Sequence, residues 1–237
     1  MSFKERFFLN FIKDSRWHYL TDGLLVTLKV TFFAVILGIV IGVIIAGVRS
    51  THDKLIGRVR SKISKIALKF FNTVANIYLT VIRGTPVTVQ LMIAYYIIFV
   101  SSNNKILVAV LAFGINSGAY VAEIVRSGIM SIDEGQTEAG RSLGFNYVQT
   151  MFYIVLPQAF KNVLPALANE FIVLLKETSV SGYVALQDLT RGGDIIRGRT
   201  YDAFMPLLAV AAIYLVMVIG FTKLVSILER RLRKSER

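Results

Sequence analysis

Long apolar runs separated by short polar segments dominate this chain, and they predict its architecture. The runs cover residues 24–48, 70–100, 106–125, 152–175 and 203–228. A helix needs about 20 mostly apolar residues to cross the hydrocarbon core of a bilayer, and each run reaches that length. We therefore expect an all-α integral membrane protein with five transmembrane helices.

The second run is interrupted by the tetrapeptide Arg83-Gly84-Thr85-Pro86. As one helix this run would be about 46 Å long, more than a membrane core of roughly 30 Å requires. Proline lacks a backbone donor and glycine loosens the chain, so we expect a break or kink here. Two interpretations stay open. The break lies at mid-membrane depth, where transporters bind substrates, or Arg83 marks the boundary between two shorter segments.

The first 19 residues form a separate segment. Charges interrupt it too often for a cleavable signal peptide, and Trp17 and Tyr19 fit the aromatic belt of a membrane boundary. Apolar side chains recur at helical spacing opposite the charges, at Phe7, Phe8, Phe11 and Ile12. This pattern predicts an interfacial amphipathic helix. The alternative is a mobile tail, because short helices are marginal until they dock.

Small residues and prolines add two local predictions. Gly38, Gly42 and Ala46 recur every four positions in the first run, a stripe that predicts close approach of another helix and nothing more specific. Pro157 and Pro165 are expected to divide the fourth run.

Composition supports a membrane protein and charge predicts its orientation. The chain is 54% hydrophobic, lacks cysteine, and has 27 Lys and Arg against 15 Asp and Glu, for a net charge of +12. The positive charge concentrates in the connection at residues 49–69 and in the C-terminal tail. Basic loops face the cytoplasm, so we expect the N-terminus outside and the C-terminus cytoplasmic. Nucleic acid is a poor alternative, because these segments lack interleaved aromatic residues.

A polar stretch, residues 138–157, lies between the third and fourth runs. Glu138 to Leu143 can form a short helix, with Thr137 just ahead of it and Gly144 as the residue that ends it. On these features alone an ordinary connecting loop is favoured. A short exposed helix that fits a partner's groove is the alternative.

We find no arrangement of catalytic or metal-binding residues. Both histidines lie near predicted interfaces, and a GxxxxGK[ST] phosphate loop is absent from the sequence. Glu123 and Glu170 lie within apolar runs, where a carboxylate is costly without a partner or a wet cavity. They give thin support for a proton relay and better support for the lining of a translocation path.

The polar stretch resembles the EAA motif of ABC importer permeases, which runs E-A-A, three residues, G, nine residues, I, one residue, L-P. This chain has Glu138-Ala139-Gly140, then Gly144, Ile154 and Leu156-Pro157, so Gly140 in place of the second alanine is the one departure. Residues 83–86, 118–126, 135–136, 169–170 and 174–179 resemble the polar amino acid branch of that family.

The resemblance implies a MetI-like permease core over residues 20–237, with a cytoplasmic coupling loop at about 131–157. It implies a homodimer, or a heterodimer with a similar permease, in a bacterial plasma membrane. Two ATP-binding subunits would carry the ATP and magnesium, so this chain is not itself an enzyme and holds no cofactor. An extracellular solute-binding protein would deliver the amino acid. The expected ATPase-coupling residues are Glu138, Ala139, Gly140, Gly144, Leu156 and Pro157.

For the substrate we expect a site at the broken helix. Arg83 would meet an α-carboxylate, and Glu170 with Asn169 would meet an amino group or a cationic side chain. The full candidate set is Arg83, Gly84, Thr85, Gln90, Glu123, Asn169 and Glu170. Alternatively Glu170 pairs with Lys161 or Lys176 and only holds helices together, and Arg83 and Glu123 have the same alternative. A permease for an opine or compatible solute, or a scaffold that moves no solute, stays open.

Overall fold

The computed structural model describes residues 2–57 and 59–234, and their regular secondary structure is helical throughout. In chain order the α-helices are α1 (Phe3–Phe7), α2 (Trp17–Leu55), α3 (Lys62–Arg83), α4 (Val87–Ile93), α5 (Lys105–Met130), α6 (Glu134–Ser142), α7 (Tyr147–Thr150), α8 (Leu156–Glu177), α9 (Leu189–Thr200) and α10 (Phe204–Lys234). Short π- and 3₁₀-helical segments extend several of them, as at Ala94–Ile98, Met151–Val155 and Thr178–Val184.

Helices long and apolar enough to cross a membrane match the five predicted runs. Four of them qualify alone, at Trp17–Leu55, Lys105–Met130, Tyr147–Val184 and Phe204–Leu232. The fifth is a bent pair, Lys62–Arg83 and Val87–Ile98, whose two parts meet at 105°. The predicted break at Arg83–Pro86 is therefore confirmed as a sharp bend.

Several boundaries differ from those that hydropathy predicts. The basic stretch 49–69, expected as a connection, is mostly helical: α2 continues to Leu55 and α3 already begins at Lys62. Lys and Arg are good helix formers, so charge ends the apolar pattern without ending the helix. Pro157 and Pro165 do not divide α8 either. Pro157 comes just after the π-helical segment Met151–Val155, where the α-helical hydrogen-bond pattern is already interrupted.

Residues 176–202, the polar stretch between the last two apolar runs, are not a loop either. This stretch holds the 3₁₀ segment Thr178–Val184 and helix α9, whose Leu189 and Ile196 are fully buried. Its glycines permit this packing, since a Cβ on Gly192 would lie 2.2 Å from the Tyr19 carbonyl oxygen. The segment is part of a core.

The chain divides into two compact units. The first comprises the chain up to Ile36, Pro86–Gly114 and Phe171–Leu224. In it, the N-terminal segment is helical and docked, because the Arg6 guanidinium binds both carboxylate oxygens of Asp202 at 2.8 and 3.0 Å. Phe11 is buried while Phe7 and Ile12 stay exposed. The helical segment is thus present, and its interfacial position stays a prediction.

The second unit comprises Leu37–Thr85, Ile115–Glu170 and the chain from Val225. The small-residue stripe of α2 packs against α5 in this unit. A Cβ on Gly42 would lie 2.4 Å from Val121 Cγ1, and one on Gly38 would lie 2.9 Å from Ser117 Oγ. Ala46 is fully buried, so the predicted close helix approach is confirmed.

Candidate functional site

An open cavity of about 450 Å³ lies beside the end of α3, in the second unit. Three helices contribute charged or aromatic side chains to it: Arg49 from α2, Arg83 from α3, and Tyr120 and Glu123 from α5. The Arg83 guanidinium lies 5.8 Å from the centre of the Tyr120 ring, within cation–π range. The cavity therefore offers a cation, an aromatic ring and a carboxylate on one surface.

Glu123 is the carboxylate that three arginines share. Arg49 Nη1 lies 2.6 Å from Oε1, Arg126 Nη2 lies 3.2 Å from Oε2, and Arg83 Nη1 lies 3.8 Å from Oε1. Three positive charges against one negative charge leave a surplus of two. Arg83 is the most distant of the three and its side chain is the most exposed, at 46%. It is thus the arginine best placed to bind another anion.

Gly84 and Thr85 have a local structural role at the bend. The Gly84 N–H donates to the Thr80 carbonyl at 3.0 Å, and the Thr85 hydroxyl donates to the Val81 carbonyl at 2.8 Å. These bonds satisfy carbonyls that the end of a helix leaves without partners. Pro86 precedes α4, where its missing N–H costs nothing. The tetrapeptide therefore ends one helix and starts the next.

Glu170 is buried and accepts a hydrogen bond from the Ser117 hydroxyl at 2.8 Å. Both residues belong to the second unit, on α8 and α5. Asn169 is exposed beside it. Gln90 belongs to the first unit. The roles of these three residues toward a substrate stay predictions, as does the pairing of Glu170 with Lys161 or Lys176.

Most of the polar stretch 138–157 is helical, with a turn at residues 143–146, so the interpretation as an ordinary loop is wrong. Helix α6 begins at Glu134, four residues before the predicted start, because the Asp133 carboxylate caps it by accepting from the Gly135 N–H at 2.7 Å. It ends at Ser142, and Gly144 follows with φ +83°, a conformation that favours glycine. The predicted stop at Gly144 is confirmed.

Gly140 is buried where α6 meets the following segment. A Cβ at this position would lie 2.9 Å from both Ile154 Cδ1 and Thr150 Cγ2. The missing methyl group lets α6 lie closer to residues 150–154 than an alanine would. Gln158 adds a hydrogen bond of 3.3 Å to Gln136. Helix α6 is thereby fixed to the start of α8, and Glu138, Ala139 and Leu143 remain exposed.

A family model described as binding-protein-dependent transport system inner membrane component matches residues 66–234. The chain belongs to this family. This permease is 37% identical over 218 residues to the putative glutamine transport system permease protein GlnP of Rickettsia prowazekii (strain Madrid E), covering 90% of this chain and 93% of the relative. It is 35% identical over 221 residues to the arginine transport system permease protein ArtQ of Bacillus subtilis (strain 168), covering 92% and 94%.

A solved structure described as an amino acid ABC transporter with histidines contains a similar chain. It matches the permease with a TM-score of 0.80 and 43% identity, covering 93% of this chain and 98% of that one. The predicted all-α, MetI-like permease fold is therefore confirmed.

Sequence reasoning missed part of the permease's charge cluster. Arg126 could have been found, because it lies three residues after Glu123 on the same helix. Arg49 carried no such signal, since 74 residues separate it from Glu123, and its basic surroundings indicated a loop. Ser117 is a polar residue within an apolar run, but its pairing with Glu170 depends on the fold.

Proposed function

We propose that this permease is the membrane subunit of an ATP-driven importer for a polar amino acid. The observation that carries the proposal is the cavity at the end of α3, where Arg49, Arg83 and Glu123 line a space of about 450 Å³. An amino acid is a zwitterion, so a site that presents both signs of charge suits it. The relatives named for glutamine and arginine transport support the same substrate class.

Arg83 is the proposed ligand of the substrate α-carboxylate. It is the exposed and loosely paired member of the cluster, and a guanidinium can bind a carboxylate through two parallel hydrogen bonds. Glu170, with Asn169, would receive the amino group. Gly84, Thr85, Gln90 and Glu123 complete the proposed set, with Glu123 holding the arginines in place.

Coupling to ATP hydrolysis would occur through α6. Its exposed Glu138 and Ala139, together with Leu143, which is 75% exposed, would form the surface that docks one of the two ATP-binding partner subunits, which carry ATP and magnesium. A docked helix can bias alternating access only if its contacts differ between the two states. Because α6 is fixed to α8, such a bias would be passed to the helix that carries Glu170.

The complete importer would contain a second permease copy, identical or similar, and an extracellular solute-binding protein. It would lie in a bacterial plasma membrane with the N-terminus outside and the C-terminus cytoplasmic. The basic segments at residues 49–69 and at the end of α10 support this orientation.

ATP-dependent uptake of radiolabelled amino acids into proteoliposomes tests the proposal. The vesicles would hold the permease, its ATPase and its solute-binding protein. Arg83→Gln and Glu170→Gln should each reduce uptake at least tenfold while the ATPase still co-purifies, whereas Glu138→Lys should release the ATPase. Full uptake in both neutral variants would remove the substrate assignment. Uptake of only an opine or a compatible solute would favour a permease for that solute. No uptake of any solute would favour a scaffold.

A further inference from the structure

One side of α3 carries a polar residue at every turn from its first residue to its last. Successive members lie three or four positions apart, which places them within about 80° of the helix circumference. The members are Lys62, Lys65, Lys69, Thr73, Asn76, Thr80 and Arg83, and we call this set the polar stripe. All are exposed except Asn76, which is half-buried.

The other sides of α3 have different surroundings. Ala75 and Leu79 are the buried residues of the helix and pack toward the rest of the second unit. A separate apolar flank is exposed, with Ile63, Ile66, Phe70, Val74, Ile77 and Val81 each at least 49% accessible. Lipid satisfies the apolar flank, but it cannot solvate hydroxyl, amide and ammonium groups. The polar stripe therefore needs water or a polar partner along its length.

The polar stripe ends at the proposed substrate site. Thr80 and Arg83 are at once its last members and part of the lining of the cavity that contains Glu123. A polar surface that starts at one end of a membrane helix and ends at a binding cavity is the arrangement of a hydrated path.

The polar stripe is also strongly positive. It holds four cations and no acid, and the sequence has no Asp or Glu at all between Asp53 and Glu123. At the cavity, Arg49 adds one further cation and Glu123 one acid, so the polar stripe and the cavity together keep a surplus of positive charge. A solute that passes here meets a positive potential, which low-dielectric walls strengthen.

We propose that the polar stripe of α3 lines the route between the cavity and the cytoplasm and determines charge selectivity. The cations of the polar stripe attract the α-carboxylate of a passing amino acid. They disfavour amino acids with a cationic side chain relative to those with a neutral or acidic one. This inference rests on the proposed function and adds the substrate class. It commits the permease to solutes such as glutamine or glutamate over arginine or lysine.

Equilibrium binding to the purified permease–ATPase complex without the solute-binding protein tests the inference, because the permease alone then selects. Radiolabelled glutamine and arginine would be compared in nucleotide-free detergent solution. We expect the wild type to prefer glutamine. Thr80→Glu should shift the ratio of the two dissociation constants toward arginine by about tenfold, as expected for one charge at close range. Thr80→Gln, which introduces a neutral side chain of the same size as glutamate, should shift the ratio far less than Thr80→Glu does.

The lysines are tested with a second pair of variants. Lys65→Gln/Lys69→Gln removes two charges from the polar stripe and should shift the ratio toward arginine, whereas Lys29→Gln/Lys223→Gln removes two charges elsewhere and should not. An unchanged ratio in both Thr80→Glu and the first double variant overturns the inference, as does wild-type preference for arginine. The inference is also overturned if Lys65→Gln/Lys69→Gln leaves the ratio of dissociation constants unchanged but abolishes the dependence of binding on anionic lipid. That result would assign the lysines to lipid headgroups. ATP-dependent uptake, measured separately, reports whether the proposed function itself holds.

Discussion

The shared carboxylate of Glu123 allows a quantitative prediction. Glu123→Gln keeps the size of the side chain and removes its charge, which leaves three arginines close together without a counter-ion. Arg49 and Arg126 are 20% and 24% exposed and contact Glu123 at 2.6 and 3.2 Å. Hydrogen bonds to charged groups contribute about 1.5–3 kcal/mol each, and breaking a buried pair costs about 3–5 kcal/mol. Because this cluster is only half-buried, we expect a loss of about 3 kcal/mol.

For a chain of this size, 1 kcal/mol corresponds to roughly 2–4 °C in melting temperature. Glu123→Gln should therefore lower the apparent melting temperature of the detergent-solubilised permease by about 6–12 °C. Glu134→Gln, an exposed acid in the first turn of α6, is the matched control and should change it little. Adding Arg126→Gln to Glu123→Gln should restore part of the loss, since it removes one uncompensated charge. An unchanged melting temperature in Glu123→Gln would refute the view that this carboxylate holds the arginines together.

Three further predictions address packing and protonation. Gly140→Ala should reduce ATP-driven uptake several-fold by pushing α6 away from Ile154. Adding Ile154→Val to the same chain should recover part of the uptake. Equal uptake in the wild type, the single variant and the double variant would contradict the packing argument. Gly42→Ala should lower the melting temperature, because overpacking costs about 1–3 kcal/mol. Adding Val121→Ala to the same chain should relieve the overpacking. No change in the melting temperature of Gly42→Ala would mean that α2 shifts freely. Burial raises the pKa of Asp188 from 3.8 to about 6. Asp188 binds a proton more tightly in the folded protein than in the unfolded chain. The stability that this protonation contributes is therefore complete below about pH 4 and is lost as the pH rises through 6. Asp188→Asn should flatten this part of a melting-temperature profile between pH 4 and 7, and two parallel profiles would contradict the assignment.

The sequence predicted those features that depend on local chemistry. Pro86 cannot continue a helix hydrogen-bond ladder, so the bend of α3 was visible in advance. Gly144 likewise predicted the end of α6, because glycine readily adopts the left-handed conformation found there. The packing of α9 could not be read in the same way. Its polar residues resemble a loop, and its burial depends on Gly192, whose close contact is with Tyr19 at a distant part of the sequence.

The small-residue stripe and the buried carboxylate of the permease turn out to depend on each other. The sequence predicted only helix packing for Gly38, and for Glu170 either substrate binding or a pairing with Lys161 or Lys176. Because Gly38 has no side chain, α5 can approach α2 until Ser117 Oγ lies 2.9 Å from where a Cβ would be. That same hydroxyl donates to Glu170. A methyl group at Gly38 would therefore compete for the space of the donor that stabilises the carboxylate. Packing and polar chemistry share one contact here, which is why a pattern that specifies only helix spacing also bears on the proposed substrate site.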